Sequence, residues 1–176
     1  MTRIIAGEWR GHPLPNLKQG VVRPTTDRAR TILFDTLRDI RDYAVLDLFS
    51  GTGALGFEAL SRGAASLVSI DIDRKYIDQQ RMWIKTHEKP YKAYVGDVER
   101  VLRKLMNKFD LILADPPYSE VISSSLLGLI ENHTNQGATF VYERARRSDS
   151  VIESAIFTLE KEKVVAETRM QIYKAQ

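Results

Sequence analysis

Residues 110–118, DLILADPPY, join an apolar run to an acid, two prolines and an aromatic residue. A nucleobase amine is a poor nucleophile because its lone pair is delocalised into the ring. If the Asp115 carboxylate and the Pro116 carbonyl accept the amine protons, that lone pair can turn toward an electrophilic methyl group, and the prolines fix the carbonyl in place. Tyr118 could stack on an unpaired or flipped base. These three are the predicted catalytic residues; a proline-rich turn with a capping aspartate is the structural alternative.

A glycine-rich turn stands earlier in the chain, in VLDLFSGTGALGFEAL. Gly51, Gly53 and Gly56 have the spacing G-x-G-x-x-G, and they follow a strand-like run and open a helix, the context in which this pattern indicates a nucleoside cofactor. Asp71 ends the next strand-like run, where an acid can accept hydrogen bonds from both ribose hydroxyls. Asp73 competes for that role, and Asp71 is favoured because it directly follows the apolar LVSI.

Two further acids distinguish between nucleoside cofactors. Asp47, just before the glycine turn, would repel a pyrophosphate but could hold an ammonium group, directly or through water, which favours S-adenosylmethionine over NAD. Asp97 could accept from an adenine amine or cap the helix that begins at Val98. The predicted cofactor site comprises Asp47, Phe49, Ser50, Gly51, Gly53, Asp71, Ile72, Asp97 and Val98.

The histidines and the absence of cysteine narrow the chemistry further. His12 lies in an amino-terminal arm, whereas His87 and His133 lie at predicted helix ends and are interpreted as surface residues. None of the three is an obvious partner for hydride transfer. A chain without cysteine has no disulfide, thiolate nucleophile or cysteine-ligated metal. We expect no metal site.

Positive charge is concentrated at the amino terminus of a chain whose net charge is only +3. The acids there are Glu8 and Asp27, against six basic residues: Arg3, Arg10, Lys18, Arg23, Arg28 and Arg30. Together with Trp9 and His12, this patch could bind a phosphate backbone and stack on a base. A solvated basic terminus explains the same composition.

Length and composition indicate one compact soluble domain with small appendages, because the chain has 176 residues, 43% of them hydrophobic and 28% charged. No apolar run approaches the roughly 18 residues that span a membrane, so we expect a cytoplasmic protein. Glycines and prolines break residues 1–24 into an arm or short hairpin. A helix is predicted over 25–40, with Thr25 or Thr26 as its cap.

Strand and helix patterns alternate from residue 43 onward. Strands are predicted near 44–49, 66–71, 93–96, 109–114 and 138–143, and helices near 54–62, 74–87, 98–106 and 121–131. The tail adds two antiparallel strands. This order predicts an α/β fold with a doubly wound, mostly parallel seven-stranded sheet. Ligands should bind at the carboxyl ends of its strands, in the loops after 49, 71, 96, 114 and 143.

Four segments resemble known enzymes. DPPY together with LDLFSGTGALGFEALSRGA resembles the S-adenosylmethionine-dependent amino-methyltransferases of the Rossmann-like class I fold. RIIAGEWRG and RPTTDRARTILFDTL are similar to the RsmD-type bacterial 16S rRNA guanine-N2 methyltransferases, and the resemblance covers nearly the whole chain. It implies methyl transfer to the N2 amine of a guanine in 16S rRNA, within the small ribosomal subunit or its assembly intermediate.

The same resemblance divides the chain into an RNA-binding arm, 1–24, and a methyltransferase domain, 25–176. It implies that Arg3, Arg10, Arg23, Thr25 and Arg28 face RNA. The tail sequence VVAETRMQIY lacks the tyrosine–glycine pair common in the family, which leaves the role of the final hairpin open. The alternatives are an adenine-N6 or cytosine-N4 methyltransferase, or a non-catalytic ribosome-binding protein of the same fold. A monomer is expected.

Overall fold

The computed structural model describes residues 2–14, 26–117, 121–148 and 151–176. Within them, seven strands form one sheet in the order β3-β2-β1-β4-β5-β7-β6. The strands are β1 Ala44–Leu48, β2 Ser66–Asp71, β3 Tyr91–Val95, β4 Phe109–Ala114, β5 Thr134–Ala145, β6 Phe157–Val165 and β7 Thr168–Ala175. The helices are α1 Asp27–Leu37, α2 Ala54–Ser61, α3 Arg74–Ile84, α4 Val98–Leu102 and α5 Ser124–Asn132.

Strand pairing confirms the predicted sheet. Strands β1 to β5 pair with one another in parallel, and β7 is antiparallel to both β5 and β6. Leu48 is in register with Ile70 on β2 and with Ala114 on β4, and Ala114 is in register with Tyr142 on β5. The carboxyl ends of these four strands therefore meet along one edge of the sheet.

Helices cover both faces of the sheet. The core on one face includes α1, α2, the end of α3 and residues 2–14. The core on the other face includes α4 and α5. Because the central strands β1 and β4 are buried on both faces, their sequences are nearly continuous apolar runs. No helix among the described residues is long and apolar enough to cross a membrane.

The amino-terminal residues 2–14 fold back as a hairpin against α2. The buried Glu58 carboxylate accepts hydrogen bonds from the backbone N–H groups of Ile5, at 2.8 Å, and Ala6, at 3.0 Å. Trp9 is buried in the core and packs edge-on against Trp83, with ring centroids 5.5 Å apart. The prediction that Trp9 stacks on an RNA base is therefore wrong.

Arg30 lies in the core as well, with no exposed surface. Its Nη2 donates to the Arg3 carbonyl at 2.8 Å and to Asp27 Oδ1 at 2.7 Å, and so joins α1 to the amino-terminal hairpin. The prediction that Arg30 belongs to a phosphate-binding patch is wrong, because its guanidinium is used inside the protein.

The helix bounds differ modestly from prediction. Thr26 is the cap of α1, since its hydroxyl accepts from the Ala29 N–H at 3.2 Å; Thr25 lies outside the described residues. The helix ends three residues before Ile40, because Arg38 adopts a left-handed φ of 62° while its N–H still bonds to the Phe34 carbonyl. Strand β5 starts at Thr134, four residues earlier than predicted.

Two histidines predicted at the surface have other environments. His133 is buried, and its ring nitrogens lie 2.7 Å from the Asn107 carbonyl and 2.9 Å from the Leu102 carbonyl. The surface interpretation is wrong for this residue. His87 is half-buried and stacks on Trp83 with ring centroids 3.8 Å apart.

Candidate active site

The turn from β1 into α2 depends on left-handed backbone conformations. Gly51 and Gly53 have φ values of 51° and 79°. A Cβ at Gly53 would lie 2.7 Å from the Phe57 ring, and one at Gly56 would lie 2.9 Å from Asp47 Oδ2. A Cβ at Gly51 would meet open space, so this part of the turn faces outward, where a ligand can approach its backbone.

Asp71 and Asp73 have separate roles in the structure. The Asp71 carboxylate is buried at the end of β2, where it accepts from the Gly51 N–H at 2.7 Å and from the Asp73 N–H at 2.8 Å. Its burial raises its pKa. Asp73 is exposed and caps α3 by accepting from the Lys75 N–H at 2.8 Å. Of the two acids, Asp71 is therefore the one that lies against the glycine turn; its predicted contact with a ribose stays a prediction.

Asp47 is buried directly beneath the glycine turn and accepts from the Gly56 N–H at 3.0 Å. Burial raises the pKa of Asp47 to about 8, and the nearby Asp115 and Asp71 carboxylates act in the same direction. Asp47 therefore holds a proton over much of the neutral range. A cation placed beside it would favour the ionised form.

A cavity of about 250 Å³ opens beside the turn. It is lined by Phe49, Asp97, Val98, Glu99, Pro116, Val121, Ile122, Ser123 and Leu126. Asp97 is exposed and caps α4 with a 2.9 Å hydrogen bond from the Arg100 N–H, as one of its two predicted roles requires. The cap uses one lone pair of a carboxylate that can accept several hydrogen bonds. Apolar walls with an acceptor at the rim fit a purine that carries an amine.

Asp115 and Pro116 follow the last residue of β4 at the same edge of the sheet. Asp115 is partly buried and Pro116 is buried. The last register pair of β4 and β5 is Ala114 with Tyr142, and β5 continues with Glu143 and Arg144, which line one cavity together with Pro116. Tyr118 lies outside the described residues, so its predicted stacking stays a prediction.

A second, smaller cavity of about 60 Å³ lies on the other side of Pro116. It is lined by Pro116, Val121, Tyr142, Glu143, Arg144, Ala145 and Ser148. Glu143 and Arg144 are only 3% and 8% exposed, and the Arg144 guanidinium lies 5.0 Å from the centre of the Tyr142 ring. Pro116 and Val121 line both cavities and so form a shared wall.

Sequence reasoning did not single out Glu143 and Arg144, which line the smaller cavity together with Pro116. It identified the loop after residue 143 as part of the carboxyl edge, but it assigned no role to the charged residues at the end of that strand. The signal was the adjacent acid and base that close the run TFVYER. Charged side chains are seldom buried unless they are paired or functional.

The predicted RNA contacts that the structure describes lie in the amino-terminal hairpin and in α1, which pack beside α2. Arg3, Arg10 and Arg28 are exposed. The Arg30 guanidinium donates both to the Arg3 carbonyl and to the Ala54 carbonyl at the start of α2. At the end of that helix, the backbone N–H of Trp9 donates to the Ser61 hydroxyl. The Arg3 backbone therefore lies toward the start of α2 and the Arg10 backbone toward its end, whereas Arg28 lies in the first turn of α1. The predicted contacts Arg23 and Thr25 lie outside the described residues.

The chain is similar over nearly its whole length to one family of known proteins. The family model described as conserved hypothetical protein 95 matches residues 2–174. The chain is 32% identical to ribosomal RNA small subunit methyltransferase D of Haemophilus influenzae, over 97% of this chain and 92% of that protein. It is also 32% identical to the protein of the same name from Escherichia coli, over 99% of this chain and 90% of that one.

A solved structure shares the whole fold. The Escherichia coli protein yhhF superimposes with a TM-score of 0.89 at 31% identity, covering 99% of this chain and 98% of that one.

Proposed function

The chain belongs to the family described as conserved hypothetical protein 95, the RsmD-type family, and on that premise we propose that it methylates the N2 amine of a guanine in 16S rRNA. The observation that carries the proposal is that Asp115 and Pro116 follow β4 at the same edge of the sheet as the glycine turn and Asp71, and that Pro116 lines the cavity beside this turn. A base held by Asp115 and Pro116 would lie next to a cofactor bound at the turn. The names of the relatives support an rRNA substrate.

The larger cavity and the glycine turn hold S-adenosylmethionine in this proposal, which when bound supplies a methyl group on a positively charged sulfur. Asp71 accepts from the ribose, Asp97 from the adenine amine, and Asp47 lies toward the ammonium group. Phe49, Ser50, Gly51, Gly53, Ile72 and Val98 complete the proposed site. The exposed apolar side chain of Ile72, which follows Asp71, provides a surface for the adenine ring.

Asp115 and Pro116 orient the amine. The Asp115 carboxylate and the Pro116 carbonyl accept hydrogen bonds from the two N–H groups of the amine, so that the nitrogen lone pair points toward the cofactor. The Asp115 carboxylate also holds the proton that the amine gives up after methyl transfer. Tyr118 stacks on the base in this proposal.

Glu143 and Arg144 support guanine over the other candidate bases. On one side of the guanine N2 amine lies the N1–H donor, with the O6 acceptor beyond it. The ring nitrogen beside the amine, N1 in adenine and N3 in cytosine, can only accept. A carboxylate at Glu143 pairs with N1–H and repels an acceptor in its place. In this proposal the Arg144 guanidinium, which lines the same cavity as Glu143, donates to O6.

The proposed substrate is 16S rRNA in the small ribosomal subunit or its assembly intermediate, and the proposed active form is a cytoplasmic monomer. The test is transfer of labelled methyl from S-adenosylmethionine to subunits that lack their own modification, to naked 16S rRNA and to duplex DNA, followed by separation of the nucleosides. We expect N2-methylguanosine from an RNA-containing substrate.

Asp115→Ala should reduce this transfer by about a hundredfold or more, the effect of losing a group that stabilises the transition state. Binding of S-adenosylhomocysteine, the product form of the cofactor, should persist in this variant. Asp78→Ala, an exposed acid on α3, is the control and should keep full activity. Label in adenine or cytosine would overturn the guanine assignment. No label in any nucleic acid, with ribosome binding retained, would support the non-catalytic alternative.

A further inference from the structure

Gln80 of α3 has its side-chain amide buried against the glycine turn. Its Nε2 donates to the Ser50 hydroxyl at 2.9 Å and to the Gly51 carbonyl at 2.7 Å, and its Oε1 accepts from the Tyr91 hydroxyl at 2.7 Å. Because a carbonyl can only accept, the amide nitrogen must face Gly51 and the amide oxygen must face Tyr91. The network therefore fixes both the position and the orientation of the amide.

This contact determines how one peptide unit of the turn is oriented. In a trans peptide the C=O of one residue and the N–H of the next point in opposite directions, and the described chain contains no cis peptide. With the Gly51 carbonyl held toward α3, the Thr52 N–H points away from α3. It has no hydrogen-bond acceptor among the described residues.

Two further observations show how tightly this turn is held. Asp71 holds the turn from β2 through the Gly51 N–H, so Gly51 is fixed from both sides. The Gln80 Cδ also lies 3.1 Å from the point that a Cβ on Gly53 would occupy, which shows how closely the amide packs against the turn. The turn is thus held in shape before any ligand arrives.

We propose that Gln80 is a positioning residue for the cofactor: by holding Ser50 and Gly51, it presents the Thr52 N–H to the carboxylate of the methionyl group of S-adenosylmethionine. Backbone N–H groups in left-handed turns at helix starts are donors for anions. Tyr91 takes part by holding the amide in the orientation that donates. The inference rests on the proposed placement of the cofactor at this turn.

The test is the affinity for S-adenosylhomocysteine, measured by titration calorimetry on the full chain. Gln80→Leu removes the donors with little change in volume and should weaken binding about tenfold, the effect of one or two lost hydrogen bonds. Gln80→Glu is nearly isosteric and should weaken binding at least as much, because a carboxylate cannot donate to the Gly51 carbonyl. Tyr91→Phe should have a smaller effect, about two- to threefold.

Gln79→Leu is the matched control, since Gln79 precedes Gln80 on α3 and contacts none of these groups; it should bind as the wild type does. In Gln80→Leu, hydrogen exchange should accelerate at Thr52 while the slowest amides of the sheet keep their rates. A purely structural role would instead accelerate exchange throughout the protein. In turnover, the KM for S-adenosylmethionine should rise and the KM for RNA should not.

The possible failures are distinguishable. If the wild type does not bind S-adenosylhomocysteine, the proposed function is wrong. If the wild type binds and folded Gln80→Leu binds equally well, the role of Gln80 is wrong and the proposed function is unaffected. If Gln80→Leu does not fold, Gln80→Glu and Tyr91→Phe decide, and wild-type affinity in both would overturn the inference.

Discussion

The Asp47 carboxyl group is removed from water, and this makes the stability of the protein depend on pH. Burial raises its pKa from 3.8 to about 8, so folding favours the protonated form. The stabilising effect is complete below the unfolded pKa and disappears as the pH rises toward the folded value. Asp71 also has a raised pKa and changes stability in the same direction.

We therefore expect the unfolding free energy of the cofactor-free protein to fall between about pH 5 and pH 8. Asp47→Asn cannot ionise but retains an oxygen for the Gly56 N–H, so its stability should change less over that range. Urea denaturation at a series of pH values measures both. Equal slopes for the two proteins would show that Asp47 does not titrate in this range.

Single-residue roles could be predicted only where the chemistry is local. The choice of Asp71 over Asp73 followed from its place at the end of an apolar run, and in the structure Asp71 bonds to the glycine turn whereas Asp73 caps α3. Gln80 gave no such signal, because its partners on the glycine turn and on β3 lie 29 and 11 residues away in sequence. Nothing in the helix pattern indicates which polar side chain will face that turn.

At the level of elements, the buried carboxylate of Glu58 links the amino-terminal hairpin to α2. Glu58 accepts from Ile5 and Ala6 and forms a 2.8 Å ion pair with Arg62 Nε. Loss of the Glu58 carboxylate would leave these two backbone N–H groups and the Arg62 Nε–H without their acceptor. Arg30 and the Ser61 hydroxyl provide further contacts to the same hairpin.

Glu58→Ala should lower the unfolding free energy by about 3 kcal/mol, the scale of a buried charged group removed from its partners. The hairpin should also become accessible to proteases before the sheet does. Urea denaturation and limited proteolysis test both effects, with the exposed Glu153→Ala as a control expected to change neither. Loss of stability without exposure of the hairpin would mean that other contacts hold it.

Most elements were predictable because their patterns are local. The apolar stripe of α1 and the β-branched runs of the sheet specify periodicity without information about partners. The burial of Arg30, Trp9 and His133 was not predictable in this way, because each is buried by segments distant in sequence. A basic or aromatic residue near a terminus has the same local pattern whether it lies in the core or faces RNA.

For the molecule as a whole, RNA binding is the proposed role of the exposed arginines Arg3, Arg10 and Arg28. Neutralising a phosphate contact weakens RNA binding for all sequences and lowers its salt dependence. The net charge of +3 is too small to direct RNA to one face, so the position of individual cations should matter more than the total.

Arg28→Gln should weaken binding to 16S rRNA and reduce the slope of log affinity against log salt by about 1. Affinity for S-adenosylhomocysteine should not change. The control is Arg103→Gln, since Arg103 is an exposed arginine that follows α4 on the opposite face of the sheet. Titrations at several salt concentrations compare the two variants, and equal slopes would mean that this end of α1 does not contact RNA.

The place of the candidate site could be predicted because the carboxyl ends of parallel strands lie on one edge. Its contents were predicted for β1, β2, β3 and β4, where glycines, acids and prolines carry recognisable patterns. Glu143 and Arg144 of β5 were not singled out, because their place in a cavity with Pro116 depends on the pairing of β5 with β4, which cannot be read from either strand alone.

The order of the last strands constrains how the chain is completed during synthesis. Strand β7 lies between β5 and β6, although it follows both in sequence. When β6 emerges from the ribosome it has no place in the sheet, and the edge of β5, the strand that carries Glu143 and Arg144, stays uncovered until β7 arrives. Uncovered strand edges favour pairing with other chains. Charged residues on such a strand oppose pairing with other chains, so we expect the EKEK run of β6 to help the nascent chain stay soluble before β7 inserts.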